Sequence, residues 1–292
     1  MFDRRNQSSQ IPPKKLRGLV VLGAGLVWVG ASVIPSNPVA ATPSPPADHA
    51  PMEPAAPMHV EPSNARQPGR ATQTSVNWAG YAVTGPSMSS VAGSWTQPTA
   101  TCPKNQNQQA AFWVGIDGYS PTDPTVEQIG TDSDCTKATK RKPGGPDYYA
   151  WYQLYPQPAV VLSSSSYPVG PNDSISASVS VTGSAYTLTV SDGARWHFST
   201  SQRQQTTPQN SSAEWIAEAP SSCTANRCKV LPLADFGSLS FSGASANGQP
   251  ISAPGFSNYQ IDMTTRNAKK TLAKTSALSS GGTAFTIAWL RT

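Results

Sequence analysis

Two short segments could do chemistry together: Val126-Glu127-Gln128-Ile129-Gly130 and Ala213-Glu214-Trp215-Ile216-Ala217-Glu218. Each reads as a strand presenting one amide or carboxylate side chain. A glutamate and a glutamine on facing strands supply both parts of an amide-hydrolysis site. The carboxylate takes a proton from water, and the amide N–H stabilises the oxyanion that forms. On the second strand, alternation puts Glu218 on one face with Glu214 and Ile216, and Trp215 and Ala217 on the other. A carboxylate beside an isoleucine is partly desolvated, which raises its pKa and keeps a protonated fraction available for acid catalysis. On the first strand, Gln128 shares a face with Val126 and Gly130, while Glu127 points the opposite way with Ile129. The missing side chain at Gly130 would leave room for a ligand backbone beside Gln128. Taken singly, Gln128 reads as a surface amide and Glu218 as a strand-end charge; the surrounding pattern changes that balance.

Other chemistries lack their residues. After Ala71 the chain has a single histidine, His197, set between Trp196 and Phe198, where a structural or surface role is expected. No Gly-x-Ser-x-Gly elbow accompanies it. One histidine makes no histidine-based metal site, and phosphate loops and dinucleotide fingerprints are missing, so neither metal nor cofactor is expected. Asp123, Asp147, Asp173 and Asp192 lie beside Pro or Gly or in turns, where aspartate is ordinary.

The elements that must position the pair are strands. Helical periodicity is nearly absent, and short aromatic or β-branched runs recur between Gly, Pro, Asn and Ser. Strands are expected over 77–83, 91–97, 110–116, 125–130, 148–155, 174–181, 186–191, 194–199, 213–218, 238–242, 259–263 and 284–290. Asp192-Gly193 is a hairpin turn signal. The fold class is all-β, an antiparallel β-sandwich.

Residues 1–41 read as an export signal. Arg4, Arg5, Lys14, Lys15 and Arg17 precede an apolar run from Gly18 to Ile34, and Val39-Ala40-Ala41 offers a cleavage site. A membrane anchor is the competing reading, but the run is short and interrupted by Gly23, Gly25, Gly30 and Ser32. Residues 42–70, rich in Pro and Ala, form a linker or pro-segment. Residues 71–292 suit one domain with a sizeable core. Of the 21 basic and 16 acidic residues, seven and four precede Ala71, which leaves the domain 14 and 12 and close to balance. Lys137, Lys140, Arg141 and Lys142 read as a solvated loop and Lys269-Lys270 as a solvated end, and no nucleic-acid partner is expected. All four cysteines, Cys102, Cys135, Cys223 and Cys228, fall in the exported domain, which argues for two disulfides. Cys223 with Cys228 would close a tight loop and Cys102 with Cys135 a longer one; two other pairings stay open.

Several segments in order resemble the glutamic peptidases, the eqolisin family. They are Asn77-Trp78-Ala79-Gly80-Tyr81, Phe112-Trp113-Val114-Gly115-Ile116-Asp117-Gly118, Gln128-Ile129-Gly130, Ala150-Trp151-Tyr152-Gln153-Leu154-Tyr155-Pro156 and Ala213 to Glu218, with the cysteine loop and Val230-Leu231-Pro232 beyond. The resemblance implies two seven-stranded antiparallel sheets in a concanavalin-like (lectin-like jelly roll) sandwich, with a substrate groove on a concave face. It implies a catalytic dyad of Gln128 and Glu218, with Glu214 in support, and Trp113, Asp117, Trp151, Gln153 and Trp78 as substrate-binding positions. It also implies a secreted, monomeric acid endopeptidase with a removable pro-segment, polypeptide substrates and no lasting membrane association. Two positions depart from the pattern: Gln153 stands where the family carries glutamate, and Tyr149 where it often carries aspartate. Both acids line the groove in the family, so the pH range is in question. In the expected mechanism Glu218 starts ionised, deprotonates water, and then protonates the leaving amine, with Gln128 on the oxyanion.

A carbohydrate-binding sandwich is the runner-up, with Trp78, Trp113, Trp151, Tyr152 and Tyr155 as a stacking platform; a catalytically impaired homologue is another alternative. A glycosidase based on Glu214 and Glu218 fails, because four residues along a strand span about 13 Å, beyond either carboxylate spacing such enzymes use. Asp117 with Glu218 stays open.

Overall fold

Alternation between apolar and small polar side chains drives most of the chain into strands. In a computed structural model describing residues 72–141, 143–224 and 227–292, the export signal and the Pro-rich segment lie outside the described residues. The first nine strands are β1 (Gln73–Ser75), β2 (Trp78–Thr84), β3 (Ser90–Thr96), β4 (Ala111–Ile116), β5 (Val126–Thr136), β6 (Gly145–Tyr155), β7 (Val160–Val161), β8 (Ser174–Thr182) and β9 (Ala185–Asp192). The rest are β10 (Trp196–Arg203), β11 (Ser212–Glu218), β12 (Ser221–Thr224), β13 (Arg227–Val230), β14 (Ser238–Ala246), β15 (Gln249–Pro250), β16 (Ser257–Thr264), β17 (Thr271–Thr275) and β18 (Phe285–Trp289).

A single hydrogen-bonded path runs β10-β9-β8-β3-β14-β18-β17-β16-β2-β11-β4-β5-β6-β7. Every pairing along it is antiparallel, and short β1 joins β16 in parallel. The path turns over between β17 and β16, where the register shifts at Met263/Thr264, and its halves of seven strands stack as a sandwich. Val91, Trp95, Ile175, Val179, Leu188 and Phe241 from one half share a core with Tyr81, Phe112, Val114, Ile129 and Trp215 from the other. Two indole donors in that interface are paired: Trp215 Nε1 donates to Ala92 O at 2.7 Å and Trp95 Nε1 to Thr131 Oγ1 at 3.2 Å. An unpaired buried donor costs about 1–3 kcal/mol, so these bonds fix how the halves face each other.

The all-β sandwich and all twelve expected strands are present. The Asp192-Gly193 hairpin forms, closed by Arg195, which pairs with Asp173 at 2.5 Å and Asp192 at 2.7 Å. His197 is exposed on β10. Cys102 is bonded to Cys135. Cys228 is also disulfide-bonded, and the β12–β13 register sets it opposite Cys223. The sequence reading missed β1, β7, β12, β13, β15 and β17, and ended β5 six residues early.

Candidate active site

The outer face of the half formed by β16, β2, β11, β4, β5 and β6 carries a second apolar cluster, separate from the sandwich core. Cross-strand register arranges its side chains in three rows. The first runs Trp78, Glu218, Ala111, Asp132, Tyr149; the second Ile261, Gly80, Ile216, Trp113, Gly130, Trp151; the third Tyr259, Ala82, Glu214, Gly115, Gln128, Gln153. Glu218 and Gln128 thus occupy diagonal corners, two strands apart, with Trp113 between them.

Trp113 connects the corners. Its Nε1 donates to Glu218 Oε2 at 2.9 Å. At the other end of the indole, a methyl group built on Gly115 would lie 2.9 Å from Cζ3 of Trp113 and 3.2 Å from Cβ of Gln128. Glycine at 115 therefore makes room for the ring, and the gap between the pair is about one indole long. Trp78 packs edge-on to Trp113, with centroids 4.9 Å apart.

Glu218 is 0% exposed. Burial pushes its pKa up to about 8, against the lowering effect of N–H groups from Trp113, Trp78 and Asn77. Asn77 Nδ2 reaches Glu218 Oε1 at 3.3 Å, and Asn77 Oδ1 accepts from Ser75 Oγ at 2.9 Å. Trp78 Nε1 points to the same region without a hydrogen bond of ordinary geometry. Desolvation wins over three donors, so below neutral pH Glu218 holds its proton.

Gln128, also 0% exposed, donates from Nε2 to Gln153 Oε1 at 3.0 Å, and Gln153 Nε2 donates to the Gln157 carbonyl at 2.9 Å. Gly130 does not act as a space for ligand. A methyl group there would lie 2.0 Å from Phe112 O and 2.7 Å from Trp113 Cβ, so glycine is demanded by close approach of β4 to β5.

Asp132, not anticipated from the sequence, sits one strand beyond Ala111 from Glu218. Trp151 Nε1 donates to its Oδ1 at 2.5 Å. Tyr149 Oη lies 3.1 Å from Asp132 Oδ2 and 2.9 Å from Asp134 Oδ2. A phenol has one proton to donate, so both contacts are hydrogen bonds only when one carboxyl is protonated. Burial first, then the other carboxylate, pushes Asp132 well up, and burial raises Asp134 to about 7. The period-2 alternation from Gln128 pointed to Asp132, but Thr-Asp-Ser-Asp is a poor strand sequence and hid it.

Asp117 is placed apart from the pair. Its carboxylate accepts backbone N–H groups of Gln209 at 2.9 Å, Asn210 at 2.7 Å and Ser211 at 2.6 Å. It clamps the chain entering β11, which leaves it no free face for a glycosidase pairing with Glu218. Trp78, Trp113 and Trp151 are 0% exposed, as core aromatics rather than a sugar platform.

The chain matches the model of the Peptidase A4 family over residues 76–289. The chain belongs to the Peptidase A4 family. It is 30% identical over 194 residues to Aspergillopepsin-2 of Aspergillus niger, which spans 59% of this chain and 64% of that protein, less than two thirds of its length. Its fold is similar to that of Scytalido-glutamic peptidase crystallised with a peptide-based transition state analog, at TM-score 0.59 and 22% identity, covering 74% of this chain and 98% of that one. SCP-B, an eqolisin peptidase solved with the tripeptide Ala-Ile-His, aligns at TM-score 0.56 and 21% identity, over 74% of this chain and 98% of that one. The A4 match spans β2 through β18 and thus every row of the site.

Proposed function

We propose that this Peptidase A4 member is a secreted acid endopeptidase acting through Gln128 and Glu218, without metal or cofactor. One observation carries the reading: a dry carboxyl group and an oriented amide lie at opposite ends of the same tryptophan. Secretion is supported by the basic and apolar leader and by the disulfides, which suit an oxidising compartment. Among the described residues, no helix is long and apolar enough to cross a membrane.

The burial of Glu218 changes the expected starting state. With its pKa near 8, it enters an acid reaction as the neutral acid rather than the carboxylate. Water attacks the scissile carbonyl carbon and passes a proton to one oxygen of Glu218, while the other oxygen gives its proton to the carbonyl oxygen. Gln128 donates an N–H to that oxygen as charge builds, a contact worth about 3–4 kcal/mol in other enzymes. Glu218 then protonates the leaving nitrogen and takes a proton from one hydroxyl of the diol as the C–N bond breaks. Both residues are buried, so the groove must open to admit a chain.

The test is digestion of denatured casein by the purified full-length protein from pH 2 to 9. Cleavage should be lost in Glu218→Gln and fall about 10²–10³-fold in Gln128→Ala, with an alkaline limb set by Glu218. Activity that instead rises with pH through this limb would restore the carboxylate as the starting base. Unchanged cleavage in either variant would end the dyad assignment.

A further inference from the structure

The polarity of one hydrogen-bond chain determines which way Gln128 points. At its far end is the Gln157 carbonyl, which can only accept. It takes the amide N–H of Gln153 at 2.9 Å, and this turns Gln153 Oε1 toward Gln128. That oxygen also only accepts, so Gln128 answers with its Nε2 at 3.0 Å. Turning either amide over would set oxygen against oxygen or nitrogen against nitrogen. In this orientation the Gln128 Oε1 is buried with no hydrogen-bond partner among the described residues. One N–H of Gln128 is consumed by Gln153, and the second remains to donate.

We infer that Gln153 is a positioning residue that holds the Gln128 amide with its second N–H free for the substrate oxyanion, and that it does so at every pH. The inference rests on the peptidase reading. An amide, an amide and a backbone carbonyl have no proton to lose in the working range, and burial pushes the carboxyl group in the same row, Glu214, well above its usual range. A carboxyl group at 153 has the same shape but a different logic. Protonated, it could donate to Gln157 O and accept from Gln128, reproducing the chain. Ionised, it would place an unprotonated oxygen against the Gln157 carbonyl, and that repulsion would draw the carboxylate out of this position together with the Gln128 amide bonded to it. Gln153 therefore frees the oxyanion donor from a titration step and leaves the alkaline limit to Glu218.

The experiment compares the full-length protein with Gln153→Glu and Gln153→Met, using a casein-derived peptide from pH 2 to 8, with circular dichroism at each pH to confirm folding. Gln153→Glu should keep kcat within about threefold of the parent while its carboxyl is protonated, then lose about tenfold or more as it ionises, with KM little changed. Gln153→Met should be low at every pH. In parallel, the side-chain amide NMR signals of Gln128 should stay constant with pH in the parent and move in Gln153→Glu with the midpoint of its kcat loss. A Gln153→Glu profile parallel to the parent, or Gln128 signals that do not titrate in it, overturns the inference. If the parent cleaves nothing, the peptidase reading fails, and the amide signals still decide the polarity. If the variants do not fold, Gln128 signals that titrate in the parent overturn it and flat ones uphold it.

Discussion

Trp113 and Asn77 both donate hydrogen bonds to Glu218, and such bonds favour the ionised form. Removing a donor therefore raises the Glu218 pKa further above its present value near 8. Trp113→Phe keeps an aromatic ring on the floor of the groove but deletes the N–H together with the second ring of the indole, so the alkaline limb of activity should move to higher pH while the rate itself drops. Asn77→Ala should shift the limb the same way by less, because its contact is longer, 3.3 Å against 2.9 Å. A shift to lower pH in either variant would assign the limb to a different group. The direction in which Gln128 and Glu218 point was legible because both stand in alternating strands whose faces can be read from the sequence. Asn77 was not, since an asparagine preceding a tryptophan has no periodic signature, and only the β2–β11 register brings it to Glu218.

β5 carries the largest share of the site: Gln128, Gly130 and Asp132 line one face, Asp134 follows on it, and Cys135 ties its end to Cys102. Its position against β4 depends on Gly130. Gly130→Ala would drive a methyl group into Phe112 O and Trp113 Cβ, and forced overpacking of this kind costs about 1–3 kcal/mol. The expected result is a thermal midpoint several degrees lower, with cleavage lost through displacement of Trp113, measured by circular dichroism and casein digestion. An unchanged midpoint would return Gly130 to the role of ligand space. The first half of β5 was visible because Val126 and Ile129 face opposite layers. The second half was hidden because Thr131, Asp132, Ser133 and Asp134 are held by side-chain bonds, such as Ser133 Oγ to Pro98 O at 2.8 Å, which no local pattern reveals. β17 was missed for a related reason: Lys269-Lys270 read as a solvated end, yet the chain re-enters the sheet at Thr271 to pair with β16 and β18.

Across the whole molecule, eight of the 12 acidic residues of the domain are buried: Asp117, Asp123, Glu127, Asp132, Asp134, Asp192, Glu214 and Glu218. Among the described residues only Asp192 of these has an ion-pair partner, Arg195. Burial raises Glu127 and Glu218 to about 8 and Asp134 to about 7, and moves Asp132 and Glu214 well upward. Among the described residues neither oxygen of Glu214 makes a hydrogen bond of ordinary geometry, although the Ser212 hydroxyl lies beside it. In the unfolded chain these groups titrate near pH 4. Below about pH 4 both states are protonated and stability is complete. Above about pH 4 the unfolded chain releases protons that the folded one still holds, up to about 7 at Asp134 and about 8 at Glu127 and Glu218, so stability falls as pH rises through this window. The fold itself is therefore adapted to acid, through Glu127, Asp132, Asp134 and Glu214 as well as through Glu218 of the proposed pair. Thermal midpoints should be highest near pH 4 or below and decline toward neutrality. Glu214→Gln, which removes one buried titrating group and keeps its shape, should make that decline shallower and raise the midpoint at pH 7. A midpoint that climbs from pH 4 to 7, or a Glu214→Gln variant with the parent's slope, would mean that the buried carboxyls give up their protons without opening the sandwich.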